Sequence, residues 1–159
     1  MNIQDTSATQ PLKNKKLLIV PYLTALIVGM MALIHLVAFE KFIQFVQDYR
    51  VTDGQGAIVL AVVIVGLEVF SLPFLIRLSM SRLARAFSAL FVLLTPLVWL
   101  FLAMYVWLRH IALSDISYFG VLSPRSHTGF LLFENCILLG LATWSLIILR
   151  ADKAFRGSK

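Results

Sequence analysis

Residues 56–76 read GAIVLAVVIVGLEVFSLPFLI, an apolar run whose single charged side chain is Glu68. A helix rises about 1.5 Å per residue, so about 20 such residues cross the roughly 30 Å of hydrocarbon in a bilayer. The whole chain is also strongly apolar: 60% of its 159 residues are hydrophobic, 14% are charged and the mean hydropathy is +0.88. Soluble domains are about half apolar and about a quarter charged. The sequence therefore predicts a membrane protein.

Three more apolar runs have a similar length, at Leu17–Phe39, Ala86–Leu108 and Gly129–Leu149. The connections between the runs are too short to enclose a core of their own, which favours one domain. We therefore predict an all-α, polytopic membrane protein built as a four-transmembrane-helix bundle. Its predicted parts are an N-terminal tail at 1–16, the transmembrane domain at 17–149 and a basic C-terminal tail at 150–159.

The basic residues predict the orientation of the bundle. The two tails and the second loop hold ten of the 14 lysines and arginines, and the loops at 40–55 and 109–128 hold the other four. Basic loops stay on the cytoplasmic side, so both termini are predicted to be cytoplasmic. The net charge of +6 is then a topology signal. It predicts contact with the lipid bilayer and no nucleic-acid partner.

The segment EKFIQFVQDYR, residues 40–50, follows the first run and has a different pattern. Phe42, Phe45, Val46 and Tyr49 recur at helical spacing, and polar residues fill the other positions. This pattern is typical of a short amphipathic helix, which we expect in the outer interface. The glycines of VTDGQG then end the helix before the second span.

Glu68 is the deepest charged residue, about 18 Å below the outer end of its run at 1.5 Å per residue. A carboxylate at that depth costs about 2.5–3.5 kcal/mol on insertion scales, so it must be protonated, paired or exposed to water inside the bundle. Two interpretations stay open. Glu68 belongs to a functional site, or a neutral Glu68 ties two helices together by a hydrogen bond.

His35 and Glu134 are expected nearer to the outer ends of their spans, at depths of about 6 and 8 Å. Together with Asn135, Lys41 and Tyr49 they could form an outward-facing polar pocket. The alternative is a plain polar rim of the bundle.

Several chemistries have no sequence support. Cys136 is the only cysteine, and an internal disulfide or a dithiol exchange needs two. His110 and His127 lie too far apart for a helical metal-binding motif, so no metal is predicted. Phosphate-binding glycine loops and nucleophile motifs are also missing, and we assign no catalytic residue.

The order AFEKFIQFVQDYRV, GLEVFSLPFL, RLSMSRLARAF and ISYFGVLSPRSHTGFLLFENCILLGLATW resembles the MauE and DoxX group of four-helix, redox-associated membrane proteins. The resemblance covers residues 17–149. It implies a Lys after the first helix, a Tyr closing the amphipathic segment, a Glu in the second helix, a Phe-Gly in the last outer loop and an Asn early in the fourth helix. The matching positions are Lys41, Tyr49, Glu68, Phe119 with Gly120, and Asn135.

MauE-like members often carry a pair of cysteines just before the Phe-Gly, where this chain has Ser117 and Tyr118. Dithiol chemistry is therefore not carried over. The resemblance implies an accessory or assembly subunit of a redox system in the bacterial inner membrane, which meets a membrane or periplasmic partner through its outer loops. The alternative is a direct role around Glu68, either binding a quinone or lipid or moving a proton or solute.

Overall fold

The computed structural model describes the backbone of residues 18–111 and 128–156, and the side chains of 18–111 and 132–150. These residues form five α-helices. They are α1 at Ile19–Val37, α2 at Phe39–Asp48, α3 at Gly54–Leu75, α4 at Arg82–Arg109 and α5 at Thr128–Arg156.

Four of these helices are long and apolar enough to span a membrane. They are α1, α3, α4 and the Leu132–Arg150 part of α5, with mean hydropathies between 1.9 and 2.6. The prediction of an all-α bundle with four candidate spans and a short helix after the first is confirmed. The last helix differs in length, because α5 continues to Arg156, through residues predicted to be a tail.

Small residues of α1 lie on the side that packs against its neighbours. Ala25 and Ala32 are buried, and Gly29 faces Leu72 of α3, where an added Cβ would sit at an ordinary contact distance of 3.7 Å. Membrane helices lack a hydrophobic drive to associate, so short side chains that allow close approach favour packing. The small residues that the sequence places along the first span thus serve as a packing surface.

Pro73 interrupts the hydrogen-bond ladder of α3, and α4 repairs the ladder beside it. The hydroxyl of Ser88 accepts a hydrogen bond from the Phe74 amide at 3.0 Å and donates one to the Phe70 carbonyl at 2.7 Å. These two backbone groups would bond directly to each other in a regular α-helix. The side chain of Ser88 is therefore inserted into the ladder, a recognised cause of helix bending.

Among the described residues, three non-glycine residues that follow helices have a left-handed backbone: Arg50 after α2, Arg77 after α3 and His110 after α4. His110 follows α4 with φ 50°, and its amide bonds the Trp107 carbonyl while the Ile111 amide bonds the Val106 carbonyl. These two backbone hydrogen bonds form the Schellman motif, in which glycine is the usual left-handed residue. Arg77, with φ 63°, closes α3 in the same way. Each residue carries backbone strain that glycine would avoid.

The short helix α2 runs lengthwise along α3. It begins after a break at Ala38, close to the level of Glu68, which lies 14 residues or about 21 Å from the start of α3. Five residues separate its last residue, Asp48, from Gly54, the first residue of α3. Phe42 and Val46 are buried in one core cluster with residues from the first half of α3. The chain therefore continues from α1 into α2 across a one-residue break, and α2 lies beside the outer part of α3.

We call the end of the bundle that carries the α2–α3 connection the outer end. The sequence predicts that α2 lies in the outer interface, and the structure adds how the two faces of the helix are placed. Its apolar face packs on α3 and α4, while its polar face, made of Glu40, Lys41, Gln44, Gln47 and Asp48, is exposed.

Candidate functional site

The buried side chains of α1, α3 and α4 meet at Glu68. The Nδ1 atom of His35 lies 2.9 Å from Oε2 of Glu68, and Nε1 of Trp99 donates a hydrogen bond to Oε1 at 3.1 Å. The three residues are 4%, 0% and 1% exposed. Both carboxyl oxygens thus have a partner inside the bundle. We call these three residues the buried triad.

The helix ends explain why His35 reaches Glu68. From their distances to the ends of the apolar runs, His35 was expected to be shallow and Glu68 deep. The structure differs because α1 ends at Val37, and α2 covers the remaining outer part of α3. The last turn of α1 therefore lies beside the middle of α3, and His35 pairs with Glu68 instead of lining a polar rim.

The triad can keep a proton without carrying net charge. The indole N–H of Trp99 can only donate, so Oε1 of Glu68 accepts. At Oε2, a protonated Glu68 can donate to Nδ1 of His35, an imidazolium can donate to the carboxylate, or a neutral imidazole protonated on Nδ1 can donate to it. The first two arrangements are neutral overall, which burial favours over an isolated charge. Moving one proton along the 2.9 Å bond interconverts them.

Aromatic rings cover the triad from the side of α2. Phe42 stacks on His35 with ring centroids 4.0 Å apart, and the Trp99 ring lies 5.6 Å from the imidazole. Phe45 bridges from Trp99 at 6.3 Å to Tyr49 at 5.1 Å, where the contact is edge-to-face. These rings shield the triad from solvent and limit the orientations that the imidazole can adopt.

A second polar contact fixes the register between α1 and α5. The hydroxyls of Thr24 and Ser145 lie 3.0 Å apart, and both side chains are buried. The two helices run antiparallel, so moving outward from Thr24 to His35 corresponds to moving along α5 from Ser145 to Glu134. Glu134 and its buried neighbour Asn135 thus lie close to the level of the triad.

The other candidate residues take different places. Tyr49 is buried at 2% exposure in the turn after α2, Glu134 is half-buried, and Lys41 lies on the exposed face of α2. The structure therefore brings His35 and Glu68 together and sets Lys41 apart from them. Phe119 and Gly120 lie outside the described residues.

Trp99 is the member of the triad that the sequence did not assign to the site. Trp99 shares the apolar run 86–108 with Tyr105 and Trp107, which lie near the outer end of the run, where an aromatic belt is expected. One signal was available: Trp99 lies deeper than the other two, and a buried indole N–H needs an acceptor. The sequence could not say that the acceptor is Glu68, because that depends on which faces of α3 and α4 meet.

Within 18–111 and 132–150, no cluster of three or more His, Cys, Asp or Glu side chains is arranged to hold a metal ion. Cys136 is exposed on α5. Comparison of the chain with protein-family models, with curated proteins and with solved structures gives no significant match.

Proposed function

We propose that the protein is a membrane-embedded accessory or assembly subunit of a redox system, in which the buried triad holds the bundle together and the outer end meets a partner protein. One observation carries the architectural part: both oxygens of Glu68 are bonded to side chains of the same chain, and Glu68 is 0% exposed. A carboxylate satisfied in this way acts first as a tertiary tie between three helices.

The redox part rests on the order of residues that resembles the MauE and DoxX group, from the first span to the last. In this proposal the protein lies in a bacterial inner membrane with both termini in the cytoplasm. The distribution of basic residues supports that orientation. A reporter fused to the C-terminus would test it, since only a cytoplasmic C-terminus gives a fluorescent green-fluorescent-protein fusion and an inactive alkaline phosphatase fusion.

A direct small-molecule role is the second candidate, and the ionisable pair favours it. Ionisable residues inside a membrane bundle commonly mark proton or ligand pathways. His35 and Glu68 can exchange a proton, and the apolar rings of Phe42 and Trp99 enclose the pair on the side of α2. In this case the pair takes part in the activity as well as in the packing.

Purification from native membranes into nanodiscs, followed by mass spectrometry of proteins and extracted small molecules, separates the two candidates. The accessory role predicts a stoichiometric redox protein in the wild-type sample, retained in Glu68→Gln. Its loss is expected in Arg109→Glu, which reverses an exposed charge at the outer end of α4. Phe101→Ala, on an exposed apolar part of α4, is the matched surface control.

The opposite pattern would overturn the accessory role. One such result is a bound quinone or lipid without a protein partner, which is lost in Glu68→Gln while the bundle stays folded. It would show that the buried triad takes part in the activity. A wild-type sample with neither a protein nor a small molecule at stoichiometric level would contradict both candidates.

A further inference from the structure

The polar face of α2 occupies a level of the bundle where its neighbours are apolar. α2 shares a core cluster with the outer half of α3, and its rings of Phe42 and Phe45 contact Trp99 of α4. The hydroxyl of Tyr105 on α4 donates a hydrogen bond to the carbonyl of Arg50, just after α2. On those stretches α3 and α4 also expose large apolar side chains, which suit contact with lipid. They are Ile58, Val59, Val62 and Val63 of α3, and Phe101, Met104, Trp107 and Leu108 of α4.

No position of the hydrocarbon layer along the bundle suits both the polar face of α2 and the exposed apolar side chains of α3 and α4. If the hydrocarbon ended at Ala38, α2 would stand in water, but so would the exposed apolar side chains of the outer halves of α3 and α4. If the hydrocarbon reached the outer end, the exposed charges Glu40, Lys41 and Asp48 would face lipid tails. Charged side chains inside a membrane are costly and face a polar cavity or a partner. Lipid therefore covers α3 and α4 at this level, and something polar covers α2.

A second copy of the chain is a poor cover for this face. Membrane homo-oligomers close around an axis along the membrane normal, and α2 runs roughly along the bundle. Such an axis would bring Lys41 beside its own copy and Asp48 beside its own copy. The resulting pairs of like charges are unfavourable. Water accommodates the mixture of two carboxylates, one ammonium and two amides without any such conflict.

We propose that the polar face of α2 borders a water-filled vestibule, open at the outer end and reaching inward to the break at Ala38. Phe42, on the opposite face of α2, stacks on His35 at 4.0 Å and separates the vestibule from the buried triad. Irregular backbone at membrane depth is tolerated where it lines a water-filled cavity, which accounts for a break in the first span without proline or glycine. The vestibule rests on burial and register, and stands whether or not the protein serves a redox system.

Cysteine accessibility in liposomes tests the vestibule. Cys136 is first changed to Ser, since it is exposed and is the only native cysteine. Gln44→Cys then places a thiol on the polar face, and Val62→Cys places a matched thiol on the exposed apolar face of α3. A charged, membrane-impermeant methanethiosulfonate should modify Gln44→Cys at least about tenfold faster than Val62→Cys, because only a hydrated thiol forms the reactive thiolate.

Spin labels at the same positions give a second readout that does not depend on thiol reactivity. A water-soluble nickel chelate should relax the label at position 44, and dissolved oxygen should preferentially relax the label at position 62. Gln47→Cys replaces Gln44→Cys if the latter does not fold. Equal protection of both positions in liposomes would overturn the vestibule. Protection of position 44 that is lost in detergent would overturn it in favour of a protein cover.

Discussion

Nδ1 of His35 and Oε2 of Glu68 lie 2.9 Å apart, although His35 is in the last turn of α1 and Glu68 is in the middle of α3. The contact exists because α1 ends at Val37, beside the middle of α3, and the chain continues as α2 after a break at Ala38. This placement brings an imidazole to a carboxylate that would otherwise need another partner. The energetic role of this pair can be measured directly.

Removing the Glu68 carboxyl group should lower the free energy of unfolding far more than replacing it with a neutral amide. Glu68→Ala leaves His35 and Trp99 without their acceptor and should lower the free energy of unfolding by about 3–5 kcal/mol. Glu68→Gln can still accept from Trp99 and donate to His35, so it should cost about 1 kcal/mol or less. Unfolding in mixed micelles with rising dodecyl sulfate measures both. Equal losses in the two variants would show that a charged Glu68 is essential to the fold.

The indole N–H of Trp99 should contribute measurably to stability. Trp99→Phe leaves Oε1 of Glu68 without its donor and should cost about 1–3 kcal/mol, the range for a buried acceptor left without a partner. Trp107→Phe is the matched control, because Trp107 is 54% exposed, and it should change stability by less than about 0.5 kcal/mol. The same denaturation experiment applies. If both variants lost the same stability, the bond to Glu68 would contribute nothing specific.

Ser88 should contribute to the stability of the protein because Pro73 interrupts the hydrogen-bond ladder of α3 beside it. Ser88→Ala deprives the Phe74 amide and the Phe70 carbonyl of their partner and should cost about 1–3 kcal/mol. In a Pro73→Ala background α3 can straighten and bond these two groups to each other, so Ser88→Ala should cost less there. A double-mutant cycle should give a coupling of about 0.5–3 kcal/mol. Additive effects would mean that Ser88 does not compensate for the proline.

His110→Gly should stabilise the protein. The left-handed conformation at φ 50° costs a non-glycine residue about 1–2 kcal/mol, and glycine adopts it freely. We expect a gain of about 1 kcal/mol after the greater chain entropy of glycine in the unfolded state is subtracted. His110→Ala keeps the strain and should give no gain. A destabilised glycine variant would show that the imidazole makes a contact worth more than the strain.

Tyr49 should make stability sensitive to alkaline pH. Burial raises the pKa of Tyr49, in the turn between α2 and α3, above its ordinary value of about 10. The raised pKa means that its contribution is fully present below the unfolded pKa and is lost as the pH rises above it. Unfolding between about pH 9 and 12 should therefore show a steeper loss in the wild type than in Tyr49→Phe. Tyr22→Phe, at 49% exposure, should keep the wild-type slope.

The sequence by itself determined the class and the number of spans. An apolar run such as 56–76 cannot stay in water, and its length allows one passage through a bilayer, so four runs gave four candidate spans. The spacing of Phe42, Phe45, Val46 and Tyr49 likewise predicted α2, because an amphipathic pattern is a local property of the chain.

Only the tertiary structure decided what Glu68 binds. Depth counted along each run placed His35 and Glu68 far apart, since counting cannot detect the break at Ala38 or the offset between α1 and α3. The choice of Trp99 as a donor depends on which faces of α3 and α4 meet, and the packing of side chains along both helices decides that. The sequence thus showed that a buried carboxylate needs partners, and the three-dimensional packing selected them.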